Sequence, residues 1–195
     1  MELILVRHGE TQLNYQKKYC GWSDSCLTEE GLLQAKRAAD KLREETIQHI
    51  YCSDLKRTVQ TAERINAYHH VGLTQSKELR ELNFGKWEEL TYRDIKEQYP
   101  KEAADWEADW LNYAVPEGES LVIMYRRIIE AIEKIVKEHQ NKRILIVSHA
   151  GCIRATLAHY IGSGIEDYWK YKVDHCGITR IEIVDNYAVL TALNQ

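Results

Sequence analysis

Glu2-Leu3-Ile4-Leu5-Val6-Arg7-His8-Gly9-Glu10-Thr11 is the stretch on which the reading of the chain turns. Residues 2 to 6 are a short run rich in branched apolar side chains, the length of a buried strand. The run delivers a guanidinium, an imidazole and a glycine at its carboxyl end, the edge at which an open α/β sheet holds its ligand. Gly9 permits a sharp turn and a close backbone approach to that ligand. Taken alone, Arg7 and His8 read equally well as the start of a solvated loop. Two further strand ends repeat the pattern and weigh against that.

Working outward, Ile47 to Cys52 is a second short strand. Ser53-Asp54 offers a helix cap after it, and Leu55, Val59, Ala62 and Ile65 give the next helix its apolar stripe. Arg57 then falls in the first turn, beside the carboxyl end of the preceding strand. Ile144 to Val147 is the strongest strand; it ends in Ser148-His149-Ala150-Gly151, and a helix runs from about Cys152 to Ile161.

Between these lie the connecting elements. Thr28 is an N-cap with Glu29 and Glu30 in the first turn, where the helix dipole favours acids; Leu32, Ala35, Ala39 and Leu42 mark one helical face to about Glu45. His69-His70 reads as solvated surface. Leu79 to Trp87 is a brief strand or an extended loop. Residues 91 to 112 form one or two short helices broken near Pro100, with Trp106 and Trp110 packing in a core or lid. Residues 116 to 120 are a turn and cap before a long helix with Leu121, Met124, Ile128, Ile132 and Ile135 on one face. Gly177 to Val184 and Tyr187 to Leu193 are closing strands joined by Asp185-Asn186. The expected fold is α/β, a three-layer α/β/α sandwich with a mostly parallel sheet. A single domain over residues 1–195 is expected, with a helical cap-like insert at about 88–117.

Composition limits the function. With 195 residues the chain can bury one sizeable core. A net charge of −4 gives no support to a nucleic-acid or anionic-membrane partner. No apolar run reaches membrane-spanning length, and the amino terminus reads as a core strand rather than a signal peptide. Cys20, Cys26, Cys52, Cys152 and Cys176 have no zinc-site spacing and fit reduced thiols in a cytoplasmic protein. Oligomeric state stays open, a homodimer included.

The three strand-to-helix junctions present Arg7 with His8, Arg57, and His149. If the strands are neighbours, these groups converge on one pocket suited to a phosphate, and helix amino termini add N–H donors. Phosphoryl transfer is the chemistry suggested, with charge neutralised by protein cations; no phosphate-binding glycine loop with its lysine, no magnesium-holding aspartate cluster and no cofactor is expected. His8 is the candidate nucleophile, kept neutral by neighbouring cations. An acid must protonate the leaving oxygen, and phosphate charge nearby favours its protonated form. Glu81 is the choice, in an extended segment beside a glycine-containing turn; Glu10, Glu88 and Glu89 are rivals.

Residues 5–11 with Asn14, Gly21 to Gly31, Ser53 to Ala62, Leu79 to Gly85, Gly118-Glu119-Ser120 and Ser148 to Gly151 together resemble, in order along the chain, the histidine phosphatases, the phosphoglycerate mutase-like superfamily. The resemblance implies a phosphoglycerate mutase-like fold and phosphorylation of His8. It further implies that Arg7, Arg57 and His149 bind the phosphate with help from Asn14, and that Glu81 acts as the acid and then activates water. Ala150 departs from the second glycine many members carry. Residues 81–92, 112–116 and 167–174 look most like α-ribazole phosphatases of cobalamin nucleotide-loop assembly, although Glu89 stands where glycine is more usual. The implied substrate is a small phosphomonoester. Broad-specificity phosphatases share many of these features; a mutase-type phosphotransferase is disfavoured by length and by the acid segment. An inactive phospholigand-binding protein is the alternative from another class.

Overall fold

The computed structural model of the protein describes residues 1–185 and 187–195. Its strands are β1 Glu2–Arg7, β2 His49–Ser53, β3 Leu73–Ser76, β4 Arg143–Ser148, β5 Ile178–Val184 and β6 Tyr187–Ala192. They form a sheet in the order β3-β2-β4-β1-β5-β6. Pairing is parallel from β3 through β1 and antiparallel at β1–β5 and β5–β6. The helices are α1 Gln12–Tyr15, α2 Glu29–Leu42, α3 Lys56–His69, α4 Tyr92–Gln98, α5 Pro100–Ala108, α6 Leu121–Glu138 and α7 Ala150–Tyr160.

Alternation along the central strands sorts the core into two halves. Leu3, Leu5, Ile144 and Ile146 pack with α6 and α7, through Met124, Ile128, Ile132, Ile153 and Leu157. Ile4, Val6, Leu145 and Val147 face the other way, against Ala39 and Leu42 of α2 and Ala62 and Ile65 of α3. This is the expected three-layer α/β/α sandwich. A small separate core gathers Trp87, Ile95, Ala103 and Val115.

The caps follow local chemistry. Thr28 Oγ1 accepts the Gly31 N–H at 3.0 Å and Ser120 Oγ accepts the Ile123 N–H at 3.3 Å. Pro100 opens α5, where its missing N–H costs nothing. Several expectations need correction. Asp54 does not cap α3; the N-cap is Leu55, without a side-chain bond, because the Asp54 carboxylate is taken by Arg80 in a two-point pair at 2.6 and 2.7 Å. β3 was not anticipated: Leu-Thr-Gln-Ser carries little apolar pattern, being an edge strand. Of the two readings of residues 79–87, the extended loop is the one found, between 3-10 turns at Lys77–Leu79 and Gly85–Trp87. His69 is half-buried with its Nε2 enclosed, while exposed His70 ends α3 in the left-handed region at φ 52°. Asn186, of the expected closing turn, lies outside the described residues.

Candidate active site

The register of β1 and β4 builds the centre of the site. Arg7 pairs with Ser148 across the two parallel strands, and the His8 N–H continues the ladder to Ser148 O at 3.0 Å. The residue after each strand is a histidine, so the rings of His8 and His149 lie 5.1 Å apart, edge to face. Both are buried. Gly9, the residue after His8, is required by a backbone crossing: a Cβ there would sit 2.4 Å from Gly31 O.

Hydrogen bonds fix both tautomers. His8 Nδ1 lies 2.7 Å from Gly9 O, and a carbonyl oxygen only accepts, so Nδ1 carries the proton and Nε2 the lone pair. Arg57 donates to His149 Nδ1 at 3.3 Å, which leaves the His149 proton on Nε2. Burial first, then the guanidiniums of Arg57 and Arg7, hold the His8 imidazole well below its ordinary value of 6.5. Burial and Arg57 do the same for His149. The sequence reading credited the cations alone; desolvation is the larger cause.

Arg57, one residue into α3, is fully buried. Its terminal nitrogens donate to Ser23 O at 2.8 Å and Gly21 O at 2.6 Å. Arg7 donates to Val173 O at 2.8 Å, and burial lowers its guanidinium to about 10. Arg7 Nε, Arg57 Nε and His149 Nε2 are buried N–H donors with no partner. Each such group costs about 1–3 kcal/mol unless something accepts from it.

Glu81 lines an open pocket together with Arg7. Its Oε2 accepts the Gly151 N–H in the first turn of α7 at 2.9 Å, and Oε1 accepts the Leu82 N–H at 3.0 Å. Trp22 Nε1 and Arg127 both donate to the Glu81 carbonyl, at 3.0 and 3.2 Å. Arg127 is itself paired with Glu119 at 2.8 Å. The rivals separate on contact. The Glu88 carboxylate accepts four backbone N–H groups, of Gly21, Trp22, Ser23 and Phe84, at 2.7–3.2 Å. It anchors the loop whose carbonyls hold Arg57. Glu10 accepts from the Thr28 hydroxyl at 3.1 Å. Glu89 is exposed and adopts φ 65°, which explains glycine's frequency at that place.

Asn14 joins the group through the open pocket it shares with Arg7 and Glu81. The same pocket contains His175, whose ring is 5.9 Å from that of His8. His175 was not foreseen; it lies just past the residues that carried the subgroup resemblance. Arg127 and Glu88 were not foreseen as supports either, since their roles depend on contacts far apart in sequence.

Glu81 also lines a second, apolar cavity walled by Trp106, Trp110, Tyr113 and Trp169, with Arg154 at its edge. The Arg154 guanidinium lies 5.1 Å from the Trp169 ring centre. Among the described residues, no three His, Cys, Asp or Glu side chains gather as a metal-ligand set, and no helix is long and apolar enough to cross a membrane.

The chain is similar to known phosphatases over essentially its whole length. The family model described as "Histidine phosphatase superfamily (branch 1)" matches residues 3–195. The adenosylcobalamin/alpha-ribazole phosphatase of Salmonella typhimurium is 32% identical over 194 residues, covering 100% of this chain and 96% of that protein. Phosphoserine phosphatase 1 of Hydrogenobacter thermophilus is 30% identical over 194 residues, covering 100% and 92%. Among solved structures, the alpha-ribazole phosphatase from Shigella flexneri superposes with a TM-score of 0.95 at 31% identity, covering 100% of this chain and 96% of that one.

Proposed function

The chain belongs to the histidine phosphatase superfamily and is a phosphatase, and from that premise we propose that it hydrolyses phosphomonoesters through a phosphohistidine formed on His8. The observation that carries this reading is the set of three buried, unpartnered donors, on Arg7, Arg57 and His149, around an imidazole whose lone pair is on Nε2. Arg7, Arg57, His149 and Asn14 bind the phosphate. The Nε2 lone pair of His8 attacks phosphorus as the ester P–O bond breaks, and the leaving oxygen takes its proton from Glu81. The phosphorylated ring gains positive charge, which the Nδ1–H bond to Gly9 O stabilises. Water then attacks the P–N bond and gives its proton to the Glu81 carboxylate, which restores both residues.

The substrate we infer is α-ribazole 5′-phosphate. Residues 88–117 form the cap of a single catalytic domain over 1–195. Their aromatic side chains, with Trp169, place a largely apolar cavity beside Glu81, on the side of the leaving group. A planar aromatic base stacks well on such walls, whereas the charged serine or glycerate of other phosphoesters would be desolvated there. The likeness to alpha-ribazole phosphatases points the same way. The test is phosphate release in EDTA from α-ribazole 5′-phosphate, phosphoserine, 3-phosphoglycerate and sugar phosphates. A hundredfold preference for the first in kcat/KM, about 2.7 kcal/mol of discrimination, is expected. Equal rates on all would leave a broad-specificity phosphatase.

A further inference from the structure

The segment 173–176, whose first two residues close the stretch 167–174, touches three residues of the site. Val173 O holds the Arg7 guanidinium at 2.8 Å, the Cys176 N–H donates to Arg7 O at 3.0 Å, and His175 reaches both His8 and Asn14. The segment is itself braced: Asp174 N–H donates to Asn194 Oδ1 at 2.9 Å, and the Gly177 N–H closes back on Asp174 O at 3.0 Å.

The hydrogen bonds around Asn14 determine which way its amide points. Asn14 Oδ1 lies 3.1 Å from the Thr11 N–H, 3.0 Å from Thr11 Oγ1 and 3.2 Å from His175 Nε2. A backbone N–H only donates, so the atom facing Thr11 is the carbonyl oxygen and His175 Nε2 must donate to it. The Asn14 carbonyl is thereby fully occupied, and its NH2 is the group left for the pocket it shares with Arg7 and Glu81.

We propose that His175 is a positioning residue of the phosphate site, whose Nε2–H locks the Asn14 carbonyl so that the Asn14 NH2 faces the substrate phosphate. This rests on the reading of Asn14 as a phosphate ligand. Burial and Arg7 hold His175 down to about 4, so the ring is neutral at pH 7 and its one N–H is committed to Asn14. A histidine here thus supplies a rigid donor without adding a further cation next to His8.

The experiment measures the Kd for inorganic phosphate, and kcat and KM with p-nitrophenyl phosphate, in His175→Phe, His175→Gln, Asn14→Ala and the double variant Asn14→Ala/His175→Phe. Phenylalanine keeps the ring packed near His8 but loses the donor; glutamine restores an N–H. We expect His175→Phe to weaken phosphate binding about tenfold, the scale of one hydrogen bond, with KM rising more than kcat falls. His175→Gln should recover most of that loss, and the double variant should bind no worse than Asn14→Ala. Equal losses in His175→Phe and His175→Gln, or additive losses in the double variant, would overturn the proposal. Should His175→Phe fail to fold, His175→Met serves in its place. Absence of turnover in the wild type would count against the phosphatase reading alone, because the phosphate Kd series reads His175 independently.

Discussion

Glu81 and Gly151 are in direct contact: Glu81 Oε2 accepts the Gly151 N–H at 2.9 Å, and a Cβ on Gly151 would lie 2.0 Å from Glu81 Oε1. The Glu81 carboxylate is therefore registered against the same helix start that carries His149. Gly151→Ala should displace the carboxylate and lower kcat at least tenfold, an effect of about 1.4 kcal/mol or more. A Cβ there would also lie 2.7 Å from the hydroxyl of the buried Tyr168, so the melting temperature should fall as well. Unchanged kcat would show that Glu81 does not act from this position.

The buried imidazoles set a pH dependence of stability. His8 and His149 are held well below 6.5 in the folded protein, chiefly by burial, whereas in the unfolded chain they titrate near 6.5. Below that pH the unfolded state binds more protons, so unfolding free energy falls as pH drops from 7 towards 5. Each ring contributes up to about 1.4 kcal/mol per pH unit in that window, and nothing above it. His175, at about 4, acts in the same direction. Urea denaturation at pH 5, 6, 7 and 8 checks this; a flat profile from 7 to 5 contradicts the buried neutral pair.

Glu88 supports Arg57 through the loop at 21–23. Its removal in Glu88→Ala strands four backbone N–H groups, at a cost of about 2–4 kcal/mol. It also frees the Gly21 and Ser23 carbonyls that fix the guanidinium. Both a lower urea midpoint and a KM raised about tenfold are expected. A stability loss with KM unchanged would confine Glu88 to folding.

Trp169 is 56% exposed, so its truncation leaves the core intact. It lines the aromatic cavity and stacks under Arg154. Trp169→Ala should reduce kcat/KM for α-ribazole 5′-phosphate by about tenfold, within the range of a lost base–aromatic stack. Phosphoserine turnover should stay within about twofold. Equal losses on both substrates would remove the cavity from specificity.

Much of this architecture was legible in the sequence because it is local. The caps at Thr28 and Ser120 and the stripe of α6 need only neighbouring residues. The convergence of Arg7, His8, Arg57 and His149 followed from strand ends. What could not be read depends on distant contacts. Asp54 fails as a cap because Arg80, 26 residues away, claims its carboxylate. The resemblance singles out Glu81, but what its rivals hold instead shows only in their contacts, the four backbone N–H groups on Glu88 above all. β3 has too few apolar residues to announce an edge strand, and His175 lies just past the stretch 167–174.

The most direct measurement is a rapid-quench trap with a 32P-labelled phosphomonoester, followed by identification of the labelled atom. The account predicts transient, alkali-stable label on Nε2 of His8 in the wild type, and neither label nor turnover in His8→Ala. Label on another residue, or full turnover in His8→Ala, would contradict it.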